Sequence, residues 1–227
     1  MRRDEAKREL LIFHPAGSLF AIAAIMAIVL PWVWLLQLDE TRLAHARLGI
    51  FGFGGVAVSG YLLTAQKAWT ARNAPIPALG LGALALGSRV TAFWLPDRIW
   101  LMLLGSLGIA LAILWPVLCA QRWDKLPLAA VPLALAAAEA ALVGQHMTAA
   151  MLPGIMVILI MLVGGRMVPA LLAEDRRRSG QVARPVPWRW PGLVLFGAAF
   201  FLDGMVGAPA LIAVALWVLY QVRGGFQ

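Results

Sequence analysis

Only one cysteine, Cys119, occurs in 227 residues, and charged residues make up just 13% of the chain. A lone cysteine has no partner within the chain, which excludes a disulfide-stapled secreted fold and a zinc site built on several thiolates. The shortage of charge excludes an ordinary water-soluble domain, in which about a quarter of the residues are charged. Hydrolase and nucleotide signatures are missing too. There is no Gly-x-Ser-x-Gly and no His-Glu-x-x-His, and Gly164-Gly165-Arg166 lacks the spacing and the Lys-Ser/Thr of a phosphate loop. What the chain has instead is apolar surface: 62% hydrophobic residues and a mean hydropathy of +0.82. That balance predicts an integral membrane protein.

A helix needs about 20 apolar residues to cross the hydrocarbon core. Six stretches meet this, near 16–36, 43–65, 76–95, 99–120, 126–143 and 149–172. The region from Pro191 to Val222 is longer than one span and is broken by Asp203, Gly204, Gly207 and Pro209. Read as a turn, this break gives two short helices, 191–202 and 208–222. The expected fold is an all-α transmembrane helix bundle in a single membrane domain, 1–227, of eight spans; without the break it has seven. The first span is too long for the apolar core of a signal peptide and no cleavage pattern closes it, so it is read as a retained anchor.

The net charge of +8 is a topology signal. Placing Arg2, Arg3, Lys7 and Arg8 inside also places Lys67, Arg72, Arg122, Lys125 and Arg223 inside, together with the basic loop 173–190. Few basic residues, such as Arg42 and Arg98, remain outside. Both termini are then cytoplasmic. Lipid headgroups are the expected partners of this charge, and no soluble basic domain exists to bind nucleic acid. Tryptophans such as Trp32, Trp34, Trp94, Trp100, Trp123 and Trp188 fall near the ends of spans, as interfacial anchors do.

Ionisable residues within spans are costly and mark function by default. His45 and His146 are expected at the outer ends of the second and fifth spans, and His14 at the inner end of the first. Neutral imidazole ligates haem iron and copper, so the His45–His146 pair is a candidate metal site, with His14 apart from it. The simpler alternative is that each is an interfacial hydrogen-bonding residue. Arg47, Arg89, Glu139 and Asp203 complete an expected outer cluster, either as structural pairs such as Arg89 with Glu139 or with Asp203, or with the arginines facing an anionic group. Glu139 lies two turns before His146, on the same face of an unbroken helix. Tyr61, about 24 Å from His45 along a straight helix, joins His14 and Arg166 in a second, inner group. Met147, Met151 and Met156 are packing residues or, less simply, Cu(I) ligands. The glycines Gly49, Gly52, Gly54, Gly55 and Gly60 predict a central, closely packed second helix.

Three ordered motifs resemble the NnrS family of bacterial inner-membrane proteins. The first runs Ala44-His45-Ala46-Arg47, Phe51-Gly52-Phe53, Gly60-Tyr61-Leu62-Leu63-Thr64-Ala65 and Trp69. It is similar to the family's His-Ala-His-Glu, Phe-Gly-Phe, Gly-Phe-Leu-Leu-Thr-Ala and Trp. His45 falls on the first histidine, Arg47 on the second and Leu48 on the glutamate. Phe13-His14-Pro15 resembles the N-terminal motif, and Gly164-Gly165-Arg166-Met167-Val168-Pro169 resembles the Gly-Gly-Arg motif. His146 lies where the family often has a histidine.

The chain resembles the N-terminal part of the family; the further C-terminal helices of longer members, with their histidines, have no counterpart. The resemblance implies haem b, copper or both, a link to nitric oxide response or denitrification, and the bacterial cytoplasmic membrane. On this reading His45, His146 and His14 are metal ligands, and Arg47, Arg89, Tyr61 and Arg166 are cofactor-binding residues. Nitric oxide or another small molecule is the expected ligand, and a second copy of the chain an expected partner. The alternative is a cofactor-free accessory protein or small-solute permease, whose buried charges are structural pairs or line a path.

Overall fold

The computed structural model describes residues 15–36, 41–95, 98–148 and 151–180, together with Ala213 and Leu216. Among the described residues every regular element is helical and there is no strand. In hydrocarbon the backbone must satisfy its own hydrogen bonds, and a helix does so within one segment. Four helical segments are long and apolar enough to cross a membrane: Ala16–Leu36, Thr41–Thr70, Ile99–Cys119 and Trp123–Val143. The protein is a membrane protein on this evidence. The chain divides into two compact units, Met1–Leu152 and Pro153–Gln227.

The first unit begins with α1 (Pro15–Val29), which tightens into a 3-10 segment, Leu30–Leu36. Its buried residues Ala16, Leu19, Ala23 and Met26 recur at alternating steps of three and four, making one narrow stripe. Phe20, Ile25, Ile28 and Val29 lie exposed around the rest of the helix. In water this would be a fault; against lipid tails it is the expected outer surface. The second rod has three parts: α2 (Thr41–Arg47), a π-helical segment (Leu48–Gly54) and α3 (Gly55–Thr70). The Gly55 N–H reaches back five residues to the Ile50 carbonyl. The rod stops at Ala71, whose left-handed backbone (φ 53°) turns its N–H onto the Lys67 carbonyl. Buried Gln66 secures that end by donating to Thr70 Oγ1 and the Arg72 carbonyl.

Next come α4 (Ala78–Trp94) and α5 (Ile99–Cys119). At 17 residues α4 is about 25 Å long, short of the roughly 30 Å core. A short α6 (Leu126–Ala129) leads into α7 (Val131–Val143), each with proline in its first turn, where no helical N–H is lost. α1, α3, α4, α5 and α7 pack on one another around α3 and α5. Helices thus occupy the five segments expected at 16–36, 43–65, 76–95, 99–120 and 126–143.

The second unit is described mainly through α8 (Leu152–Arg178). It continues past residue 172, so residues 173–178 of the expected basic loop are helical. Glu174 holds this last part by pairing with Arg177 at 3.3 Å and Arg178 at 3.1 Å, one turn on. The arginines also sit where the helix dipole favours cations. The expected short helices 191–202 and 208–222, apart from Ala213 and Leu216, lie outside the described residues.

The closest approach in the bundle is that of α4 and α5 at Gly105. A Cβ there would collide with Ser88 Cβ and come within 2.5 Å of the Leu84 carbonyl oxygen. Gly105→Ala is therefore expected to destabilise the protein by about 1–3 kcal/mol through overpacking. Gly87→Ala, whose Cβ meets nothing within 4 Å, should instead stabilise by up to about 1 kcal/mol through helix propensity. Thermal unfolding of the two variants in detergent measures the difference, and equal behaviour would contradict this packing.

Candidate functional site

Arg89 and Glu139 meet in the interior, where apolar periodicity aims both inward. On α4 the buried positions are Leu81, Gly82, Ala85, Ser88 and Arg89; on α7, Leu135, Ala136, Glu139 and Leu142 share the buried side. Arg89 Nη1 donates to Glu139 Oε1 at 2.9 Å, and Nη2 lies 2.8 Å from Oε2. This is the two-pronged geometry that suits guanidinium and carboxylate. Arg89 Nη2 also donates to Ser106 Oγ (3.1 Å) and Nε to Ser88 Oγ (3.3 Å). The stem of Arg89 passes Gly52, where a Cβ would stand 3.4 Å from its Cδ. Arg89 is 5% exposed and Glu139 1%, so water takes little part.

Arg47 enters from the end of α2. Its Nη2 is 3.6 Å from Glu139 Oε1 and donates to Met102 Sδ at 3.2 Å. Its Nε is buried and has no hydrogen-bond partner. Beside Arg89 and Glu139 lies a cavity of about 30 Å³, lined also by Phe51, Ser59, Ser88 and Ser106. That is room for about two waters. Sites for cofactor-sized molecules run to roughly 300–1,000 Å³, so a haem does not fit this cavity.

His45 faces elsewhere. Its Nδ1 lies 3.1 Å from the Leu30 carbonyl oxygen, and its ring stands 5.1 Å from the Trp34 ring, tilted by 44°. A carbonyl only accepts, so Nδ1 donates, and in the neutral form of the ring Nε2 is the nitrogen with the lone pair. That arrangement matches a histidine metal ligand, whose second nitrogen is usually held by a carboxylate or a backbone carbonyl. His45 and Arg47 thus point to different neighbours, as a two-residue step on a helix requires.

His146 is exposed and lies in the turn after α7. The helix closes at Val143, Gln145 turns left-handed (φ 59°) and the His146 N–H bonds the Ala141 carbonyl at 2.8 Å. The expected continuation of the Glu139 face to His146 therefore ends one turn early. Neither His45 nor His146 lines the cavity. Among the described residues no three His, Cys, Asp or Glu side chains converge as a metal site would need. Tyr61 is half-buried on α3, and Arg166 lies within α8 in the other unit. His14 and Asp203 lie outside the described residues.

Of the expected outer cluster, then, Arg47, Arg89 and Glu139 come together. Ser88, Ser106 and Met102 complete their surroundings and were not singled out from the sequence. Serines next to Arg89 and Gly105 inside apolar spans were the available signal for two of them.

Removing one partner of a buried ion pair costs about 3–5 kcal/mol. Glu139→Gln, which strands two guanidiniums, should lose stability on that scale. Adding Arg89→Met to Glu139→Gln should recover part of the loss. Thermal unfolding of the single and double variants tests the pairing; a double variant no more stable than Glu139→Gln would count against it.

A family model described as NnrS protein matches residues 12–225, which is most of the chain. No curated protein and no solved structure matches it at a significant level. With the match running from before the first helix almost to the end of the sequence, the chain belongs to the NnrS family.

Proposed function

We propose that the protein binds haem, copper or both in the bacterial cytoplasmic membrane, as a multi-pass protein with cytoplasmic termini, and serves nitric oxide response or denitrification. The observation that carries this reading is the orientation of His45. Its Nδ1 is held by the Leu30 carbonyl, so in the neutral form Nε2 is the nitrogen open to a metal. Neutral histidine is the commonest metal ligand in proteins, and the hydrogen bond at its other nitrogen sets which atom binds. The Trp34 ring lies beside it at 5.1 Å. His146 and His14 are the remaining candidate ligands. A haem iron would supply gas binding or electron transfer, depending on its surroundings. Arg89 directs four of its five donors at Glu139, Ser88 and Ser106, which gives it a structural role. Lipids and a second copy of the chain are the partners on this reading.

A cofactor-free accessory protein or small-solute permease is the second reading. It is favoured by the buried pairing of Arg89 with Glu139, in which charges inside the spans satisfy one another.

The deciding measurement is an absorption spectrum with metal analysis of the detergent-purified protein, produced with haem and copper supplied. The expected result is a Soret band that shifts on reduction and again on addition of nitric oxide, and that is lost or strongly reduced in His45→Ala. A colourless, copper-free protein would overturn the cofactor reading and favour the second.

A further inference from the structure

Two guanidiniums and one carboxylate meet inside the bundle: Arg47, Arg89 and Glu139. Arginine keeps its charge at any accessible pH. With Glu139 ionised between them, the group carries one positive charge in excess. An uncompensated charge in an apolar interior is costly, and among the described residues no other acid pairs with either arginine.

The two arginines are unequally satisfied. Arg89 makes charge-assisted bonds to both Glu139 oxygens and adds two serine hydroxyls. Arg47 has a thioether, which is a weak acceptor, and a carboxylate oxygen at 3.6 Å, beyond hydrogen-bond range. Its Nε is buried with nothing to donate to. The side chain keeps 14% of its surface exposed while Nε itself is buried, so a ligand reaching Nε displaces the side chains around it. Nε and a neighbouring Nη of a guanidinium form a two-donor fork that fits two oxygens of one anion.

We propose that Arg47 is the binding site for a small monoanion with a carboxylate-like pair of oxygens. One such ligand supplies the missing acceptor to Nε and brings the buried charge to zero. A dianion would overshoot, so the site selects by charge as well as by shape. The same chemistry is offered by a free anion such as formate or nitrite and by a carboxylate arm of a larger bound group such as haem. The site itself depends on neither His45 nor a metal, so it stands whether or not the protein holds a cofactor.

The test is calorimetric titration of the full-length, cofactor-free chain in detergent with sodium formate and with sodium nitrite, at constant ionic strength set by sulfate. The expected result is saturable binding of one anion per chain, with at least tenfold loss of affinity in Arg47→Gln and partial retention in Arg47→Lys. Helical circular dichroism and size exclusion establish that each variant is folded. Should Arg47→Gln fail to fold, the wild-type chain still decides, by titration with sulfate and with formate in a chloride background, which offers no paired oxygens: sulfate must bind at least tenfold more weakly than formate. Absence of saturable formate and nitrite binding, undiminished binding in folded Arg47→Gln, or sulfate binding as tight as formate each overturns the proposal. Once the site is established, formate titration of haem-loaded protein separates the sources. Loss of formate binding, restored when the haem is loaded as its dimethyl ester, assigns the site to a haem carboxylate. Retention assigns it to a free anion.

Discussion

The bidentate pair of Arg89 and Glu139 is the constraint around which the first unit is built. Neither residue tolerates apolar surroundings alone, and each is almost wholly buried. The bundle therefore has to bring α4 and α7 together at one depth. It also has to supply acceptors for the remaining arginine donors, which Ser88 and Ser106 do. Ser106 reaches Arg89 because α5 lies almost against α4 at Gly105, where no side chain intervenes. Gly52 similarly leaves room for the arginine stem. Buried pairs of this kind add little net stability over a well-packed apolar core, but they penalise misalignment heavily. Their contribution is register: a slide of α4 along α7 strands a charge.

The π-helical segment is the second determinant. Three of its seven residues, Gly49, Gly52 and Gly54, are glycines set along a widened turn. Such turns alter the rotation between the helical parts before and after them and are frequent at functional sites. Here the segment joins α2, which carries His45 and Arg47, to α3, which packs against α1 and α5. Within α2 itself, His45 meets the end of the first helical rod through Leu30 and Trp34, while Arg47 reaches the interior. Two residues only two positions apart thus serve two different places in the bundle.

Much of this was legible in the sequence, and the parts that were not have specific reasons. Hydropathy located the helices because uninterrupted apolar runs leave the backbone no alternative in lipid. The Arg89–Glu139 pair could be anticipated because so few charges lie within spans that their partners are nearly determined by depth. The fate of His146 could not. Its spacing from Glu139 fits an unbroken helix, but Gln145 adopts a left-handed conformation that only the three-dimensional turn reveals. The extension of α8 to Arg178 was hidden because a run of arginines looks like a loop until Glu174 is seen one turn away. The π segment has no period of its own to read; its glycines signalled close packing without indicating the wider turn.

Position 47 bears on how far the family's chemistry extends to this chain. The motif that the second rod resembles has a histidine there, and here it is arginine. A guanidinium offers donors and no lone pair, so it cannot replace an imidazole at a metal. A neutral potential ligand has become a permanent cation two residues from a histidine that is still held in ligand orientation by Leu30. Any centre bound at His45 must take its other ligands from outside this turn. The positive charge at Arg47, only partly met by Glu139, then becomes the dominant electrostatic feature of the site's interior side. Where the motif has two histidines, this chain has one histidine facing Leu30 and one under-coordinated arginine facing Glu139, so two neighbouring positions of the motif look to different parts of the bundle.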